Sequence, residues 1–395
     1  MTLSADRFDV VVIGGAAMGS SVAYHLAADP SFAGSILVLE QDPTYQRSAS
    51  ALSAASIRQQ FSTAINIRIS LYGIAFLRAI GETLAVDGER PDIGLREGGY
   101  LFLASEAGRP ILAENHRLQR AEGADILLLE PDDLKHRFPW LKVEGLAAGG
   151  FGRSGEGWFD GYGLMQAFRR KARALGVVYR RGRAVSVERE GQRVTAVMLD
   201  DGSRISAGAV INCAGTGGAA VARSAGVDIP VRSRKRAIFT FDCPHRLDGF
   251  PLVIDPSGVY CRPEGQGFIC GSAPPAERDA DSDDFDVDYA FFEETIWPVL
   301  AARVPAFETI RPGRAWAGHY DMNVFDHNAI LGPAPGTENF YLCNGFSGHG
   351  LQQAPAVGRG LAELIAHGRY LTLDLSPLGY GRIERNAPLL ERNVV

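Results

Sequence analysis

The sequence predicts a mixed α/β fold, and three observations carry that prediction. A strand, glycine turn, helix and second strand follow one another at the N-terminus, in Phe8 to Glu40. A second glycine-rich turn, Gly345 to Leu351, opens a helix near the C-terminus. Strand-rich stretches lie between them, at residues 96–146 and 226–320. With 395 residues, 46% of them hydrophobic and 22% charged, the chain can bury one large mixed domain or two smaller ones.

The first unit reads FDVVVIGGAAMGSSVAYHL. Val10 to Ile13 form a short buried strand, Gly14 to Gly19 a turn, and Ser20 to Leu26 an amphipathic helix. Ile36 to Leu39 form the next strand, which ends at Glu40. Small residues stand where a backbone must come close to a pyrophosphate, and the free N–H groups at the helix start attract its charge. Gly14 and Gly19 take the outer positions of a GxGxxG pattern, with Gly15 and Met18 inside the turn; the middle position is Ala16, a departure. Glu40 stands where an acid accepts hydrogen bonds from a ribose 2′-hydroxyl, which favours FAD or NAD over NADP.

Further along, Gly99 to Ala104 reads as a strand and Ile111 to Glu122 as a helix. A helix over Tyr162 to Leu175 precedes a strand over Val177 to Arg180. A hairpin-like pair, Ala184 to Glu188 and Arg193 to Leu199, is expected next, with Asp201-Gly202 as its turn. The strand Ala209 to Asn212 runs into Ala214 and Gly215, small residues that suit a second close approach to a cofactor. A helix is expected around Tyr289 to Arg303, and the acidic run Glu277 to Asp288 reads as a solvated loop. Arg234, Lys235 and Arg236 are either a strand edge in solvent or a docking patch for an acidic electron acceptor.

Charge and composition exclude several classes. A net charge of −6 without a basic stripe argues against a nucleic-acid partner. The five cysteines show no CxxC spacing and the histidines no ligand spacing, so no metal and no disulfide framework are expected. No apolar run reaches the ~20 residues of a membrane span, and Met1 to Asp9 lacks the features of a signal peptide. A soluble, cytoplasmic chain of unknown oligomeric state is expected.

The C-terminal stretch GFSGHGL, Gly345 to Leu351, precedes a helix over Ala354 to Ile365 with Gly368 as its stop. An NAD enzyme has no use for two glycine turns that each open a helix. A flavin explains both: one helix start holds the pyrophosphate, and the other aims its positive end where charge collects on reduction.

Together VVVIGGAAMGSSVAYHL, SASALSAASIRQQFS, the Ala214-Gly215 strand end and GFSGHGLQQAPAVGRGLAELI resemble the D-amino-acid oxidase and sarcosine oxidase superfamily of FAD enzymes. The likeness spans nearly the whole chain. It implies a Rossmann-like FAD-binding domain assembled from residues 1–95, 147–225 and 321–395. It also implies a discontinuous substrate domain, with a large antiparallel sheet, from 96–146 and 226–320. As FAD contacts it implies Gln41 beside Glu40, then Ser48, Ser50, Ala54, Ala55 and Ser56 in the embracing loop, and Val185. From the C-terminal turn it adds Gly345, Gly348, His349, Gly350, Leu351 and Gln352.

The resemblance also implies catalytic positions. An arginine after the embracing loop binds the substrate carboxylate in sarcosine-type oxidases, and Arg58 stands there, a planar fork suited to it. Their second carboxylate ligand is a lysine; here the position holds Gln352, a neutral donor. Tyr260, Arg262, His319 and Tyr320 fall around the expected pocket, and each equally suits a packing role. His319 is a candidate to take a proton from the substrate ammonium. Flavin attachment in relatives uses Cys or His in segments matching Trp316 to Asp321 and Gln46 to Ser56. The first has no Cys and the second has neither, so the FAD is expected to be non-covalent. The oxygen-activating lysine is replaced by Ile269, and none of Lys135, Lys142, Lys171 and Lys235 falls nearby, which favours a dehydrogenase. The acceptor would be a quinone, an electron-transfer flavoprotein or, for an oxidase, oxygen.

The expected function is oxidation of the C–N bond of a small secondary amine or amino acid, of the sarcosine, dimethylglycine or D-amino-acid kind. As a second reading the resemblance implies an FAD-containing assembly or interaction factor for a respiratory complex, with little amine turnover.

Overall fold

The computed structural model describes residues 7–392. The outermost ends of the expected FAD-binding segments, 1–6 and 393–395, lie outside the described residues. The chain forms two large sheets and a layer of helices, and each sheet is stitched from segments far apart in sequence.

The first sheet has a parallel centre. The strand Arg7–Ile13 pairs with Ile36–Glu40 on one side and with Arg204–Asn212 on the other. Val178–Arg181 extends the sheet beyond Ile36–Glu40, and Phe340–Asn344 extends it beyond Arg204–Asn212. Val11, Val12 and Leu37 are fully buried, as strands covered on both faces require. One face carries the helix Ala17–Ala28, flanked by Gly161–Ala174 and by the C-terminal helix Gly350–His367. Val22, Leu26, Phe168 and Leu361 meet in their shared core, and burying each such side chain contributes about 1.5–3 kcal/mol. The C-terminal helix stops at Gly368, whose φ of 70° is left-handed, as expected for that glycine.

The second sheet runs in the order Arg311–Asn323, Val231–Asp242, Gly267–Gly271, Tyr260–Glu264, Leu252–Ile254, Tyr100–Ala104, Ala148–Gly152, Ile126–Leu129. Its pairs are antiparallel except that between Leu252–Ile254 and Tyr100–Ala104. Alternation gives it two faces. Leu101, Leu103, Val253 and Cys261 pack under Phe292, Leu300 and Phe307. Tyr100, Phe102, Leu252, Ile254 and Tyr260 pack together on the other face.

Several expectations are corrected. The strand Ala148–Gly152 pairs in the second sheet, although residues 147–225 were assigned to the FAD-binding part. Asp201-Gly202 does not join the hairpin pair. Glu190 pairs with Arg193 across a two-residue turn at Gly191-Gln192, and Asp201-Gly202 links Arg193–Leu199 to the long strand Arg204–Asn212. The helix Ala64–Arg78 was missed, although Ile65, Ile69, Tyr72 and Phe76 repeat at helical spacing behind Ser62-Thr63. It packs against the C-terminal helix, and a side chain at Gly73 would lie 2.7 Å from the Gln352 carbonyl oxygen. The helix expected over Tyr289 to Arg303 is present, with a wider turn at Phe292–Ile296 just before Pro298. Proline has no N–H and collides with an ordinary turn behind it, so the backbone widens there.

The acidic run and the basic cluster turn out to be partners rather than separate surfaces. Arg234 pairs with Asp281 at 3.1 Å and Lys235 with Asp284 at 2.5 Å. Arg236 meets both carboxylate oxygens of Asp279, at 2.6 and 2.9 Å. The 279–284 segment is thus a strap buttoned onto the strand Val231–Asp242. The acidic run is largely exposed, as expected of a solvated loop, but the basic cluster it pairs with is not a free docking patch.

Candidate functional site

The first strand delivers the chain into the turn Gly14–Gly19, and two of its glycines are required by space. Gly14 has φ of 98°, and a Cβ there would sit 2.3 Å from the Cys213 carbonyl oxygen. A Cβ on Gly19 would sit 1.9 Å from the Gly14 carbonyl oxygen, so the helix comes this close only with glycine there. Ala16, at the departure from the pattern, is the helix N-cap and keeps the turn intact. Glu40 closes onto the same turn: its carboxylate accepts N–H bonds from Gly15 at 2.8 Å and from Asp42 at 2.9 Å. Burial pushes the Glu40 carboxyl up, and those two amides oppose the shift. An acid and a helix N-terminus bracketing a glycine turn fit the ribose and pyrophosphate of a dinucleotide.

The loop after Gln41 folds over this turn. Ser50 Oγ accepts the Ala17 N–H at 3.3 Å, placing the loop at the helix start. Ser48 is spent locally: its hydroxyl donates to the Tyr45 carbonyl at 2.8 Å and accepts from Ala51 at 3.2 Å. Ala55 adopts φ of 45°, a strained conformation for a residue with a Cβ. Its carbonyl accepts from Phe159 at 3.1 Å, and the Ala54 carbonyl accepts from Arg262 Nη2 at 2.5 Å. Arg262 therefore pins the loop and is not free to hold a ligand.

The C-terminal turn wraps around a carboxylate that sequence reading did not single out. Asp321 Oδ2 accepts the Gly345 N–H at 2.8 Å, and its backbone carbonyl accepts the Ser347 N–H at 3.1 Å. Burial raises the Asp321 carboxyl to about 6 against the pull of the Phe346 and Gly345 amides. Beyond this wrap the residues Gly348 to Leu351 start the helix Gly350–His367, whose N-terminus faces the cavity lined by Gly348, His349, Leu351 and Gln352. A Cβ on Gly348 would lie 2.5 Å from the Tyr320 ring.

That cavity, partly open to solvent, lies where the embracing loop, the C-terminal turn and the inner face of the second sheet meet. Arg58, Tyr100, Leu252, Ile254, Tyr260, Tyr320 and Arg236 line it, and among the described residues no Asp, Glu or Lys does. Arg58 is 4% exposed. Its backbone N–H donates to Gln352 Oε1 at 2.9 Å, and its Nη2 donates to His349 Nε2 at 2.9 Å. Burial, with the guanidinium beside it, holds His349 well below the usual histidine range, so the ring is neutral. A guanidinium only donates, so His349 carries its proton on Nδ1. The rings of Phe61 and Phe102 lie within 4.8 and 5.2 Å of the guanidinium carbon. Arg58 Nε, also buried, has no partner among the described residues. Two carboxylates outside the lining act on the guanidinium, Glu391 and Glu156; Glu156 is engaged by the N–H groups of Gln59 and Gln60 and by Gln60 Nε2. A buried cation whose own donors are not all used, in a cavity without an acid, is arranged to receive an anion.

A sequence profile described as FAD dependent oxidoreductase matches residues 9–364. The chain belongs to that FAD-dependent oxidoreductase family. FAD-dependent oxidoreductase domain-containing protein 1 of Xenopus laevis is 42% identical over the whole chain and 86% of its own length. The mitochondrial sarcosine dehydrogenase of Mus musculus is 29% identical over 91% of this chain and 40% of its own length. Among solved structures, L-proline dehydrogenase from P. horikoshii superposes with a TM-score of 0.85 at 25% identity, covering 97% of this chain and 100% of that one.

Within this family frame, the expected residues fall into three groups. Gly14 to Gly19, Glu40, Ser50 and the Ala54–Ser56 loop converge, as do Arg58, Gln352, Tyr260 and Tyr320. Ala214 and Gly215 close the end of the strand beside Gly14, and Gln41 is exposed next to Glu40. Val185 is the extra residue of a β-bulge, beside the contact between the Gly182 N–H and the Glu40 carbonyl. A bulge leaves backbone groups outside the ladder, where a ligand can use them. His319 is the correction. It neighbours Tyr320 on one strand, so its side chain takes the other face, away from the cavity. There it packs edge-on to Phe285, whose ring also meets the Arg47 guanidinium. Burial lowers its pKa, and Nε2 has no partner among the described residues. It is not placed to take a proton from a ligand beside Arg58. Sequence reading missed Tyr100, Arg236, Leu252 and Ile254 in the lining and Glu156 and Asp321 behind it. Only strand register tells which residues of a strand face inward.

No helix among the described residues is long and apolar enough to cross a membrane.

Proposed function

We propose that the chain oxidises the C–N bond of a small secondary amine or amino acid whose carboxylate is held by Arg58. The buried, incompletely partnered Arg58 in an acid-free cavity is the observation that carries this reading. His349 and Gln352 fix the guanidinium and its backbone, so the substrate meets a pre-oriented fork. Tyr100, Tyr260 and Tyr320, with Leu252 and Ile254, would enclose the remainder of the substrate and exclude water. FAD, when bound, supplies the hydride acceptor. Gly14, Gly15, Ala16, Met18, Gly19, Glu40 and Gln41 would hold its nucleotide end, with Val185, Ala214 and Gly215 beside them. The Ser48–Ser56 loop and the Gly345–Gln352 turn would hold its reactive end. The substrate leaves as an imine, which water hydrolyses. That sarcosine and L-proline dehydrogenases are among the relatives agrees with this class.

Two finer readings go with it. Trp316 to Asp321 holds no Cys and Gln46 to Ser56 neither Cys nor His, so the flavin would be held without a covalent bond and acid precipitation should leave a yellow supernatant. Among the described residues no lysine lines the cavity, which favours a dehydrogenase passing electrons to a quinone or an electron-transfer flavoprotein. The test is anaerobic mixing of the flavoprotein with N-methyl and cyclic amino acids while flavin absorbance is followed. Bleaching by one of them is expected. A flavin that dithionite reduces and no amine does would replace this reading with an interaction or assembly role.

A further inference from the structure

Arg236 gives the cavity a second cation, and its geometry leaves part of it for a ligand. Its side chain is 12% exposed and lines the cavity. Asp279 takes the end of the guanidinium through Nη1 and Nη2, and the other Nη1 hydrogen goes to the Lys235 carbonyl at 2.8 Å. Five N–H donors radiate from a guanidinium, so the edge formed by Nε–H and the second Nη2 hydrogen is left over, a fork of the width that grips a carboxylate. The guanidinium carbon lies 5.6 Å from the centre of the Tyr320 ring. The charges of both Arg236 and Arg58 also reach the Tyr320 hydroxyl. Two guanidinium groups thus line one cavity, and among the described residues no acid lines it.

We propose that the cavity takes a substrate with two carboxylates, an amino- or imino-dicarboxylic acid held at one end by Arg58 and at the other by the open edge of Arg236. This rests on the reading of Arg58 as a carboxylate anchor. A monocarboxylate uses one fork, whereas a dicarboxylate of fitting length uses both. Asp279 shares Arg236 with the ligand and repels it, so the aspartate limits the affinity while holding the arginine in place.

The test uses FAD-loaded protein and unreactive probes: acetate and propionate against malonate, succinate, glutarate and adipate, read as perturbation of the flavin's visible spectrum. At least one dicarboxylate should bind about tenfold or more tighter than either monocarboxylate. Arg236→Gln should erase that preference and leave monocarboxylate binding within about twofold, whereas Asp279→Asn should keep or increase it. Dicarboxylates that bind no better than monocarboxylates overturn the two-anchor proposal and leave the amine-oxidation reading intact. Equal loss in Arg236→Gln and Asp279→Asn overturns it too, because the pair would then act only as a clamp on the strap. If no carboxylate of either kind binds, the Arg58 anchor fails and this proposal fails with it.

Discussion

The turn at Gly14–Gly19 and the cavity around Arg58 are the two halves of the proposed site, and they are made of different materials. The turn is backbone: two glycines without room for a methyl, a helix start, and one acid that closes over them. The cavity is side chains, contributed by the embracing loop, by the inner face of a long sheet and by the first turn of the last helix. A backbone site tolerates almost no change at its few positions and much change elsewhere. A side-chain site is decided by which way each residue faces and by how its charge is balanced, so single substitutions should grade its properties.

The largest effect is therefore expected at the turn. Gly19→Val drives a side chain into the Gly14 carbonyl and should leave purified protein without flavin. Flavin content after gel filtration measures this, and normal loading would show that the helix can retreat.

Next in size is the charge balance behind Arg58. Burial raises the Glu156 carboxyl from 4.5 to about 7. Below its unfolded pKa the group is neutral in both states and costs nothing. Between 4.5 and about 7 the folded protein keeps a proton that the unfolded chain loses, so stability falls as pH rises through that window. Above it the penalty is constant, at most about 3.5 kcal/mol, since each pKa unit corresponds to about 1.4 kcal/mol. Glu156→Gln lacks the titration, so its melting temperature should gain on the natural protein between about pH 5 and about pH 8. A difference in melting temperature that ignores pH would remove Glu156 from the account.

The smallest effect sharpens the question of facing. His319→Gln should change the substrate KM by no more than about twofold, whereas Tyr320→Ala should raise it by about tenfold. Equal effects would mean that the two neighbours share the cavity after all.

Much of this was legible from the sequence, and the difference between the two regions explains what was not. The Gly14 to Glu40 unit is contiguous, so its strand period, its glycines and its acid can be read in one pass. The embracing loop and the Gly345–Leu351 turn carried enough local pattern to locate Arg58 and Gln352. The hydrogen bond between those two residues joins positions at opposite ends of the chain. His319 was misplaced because one step along a strand reverses the face. Tyr100, Leu252 and Ile254 were missed because nothing in a strand's own sequence says which face meets a cavity. Arg236 and Asp279 were read as members of two separate charge runs, whereas folding lays one run on the other. The helix Ala64–Arg78 is the exception: its apolar spacing was visible.

The most direct test of the account is the rate of anaerobic flavin reduction by the best amino acid of the panel, compared between the natural protein and Arg58→Ala. Arg58→Ala should retain its flavin and its reduction by dithionite, while amine-driven reduction at subsaturating substrate falls by about a hundredfold or more. An Arg58→Ala protein that is reduced as fast as the natural one would contradict the central claim that this buried guanidinium anchors the substrate.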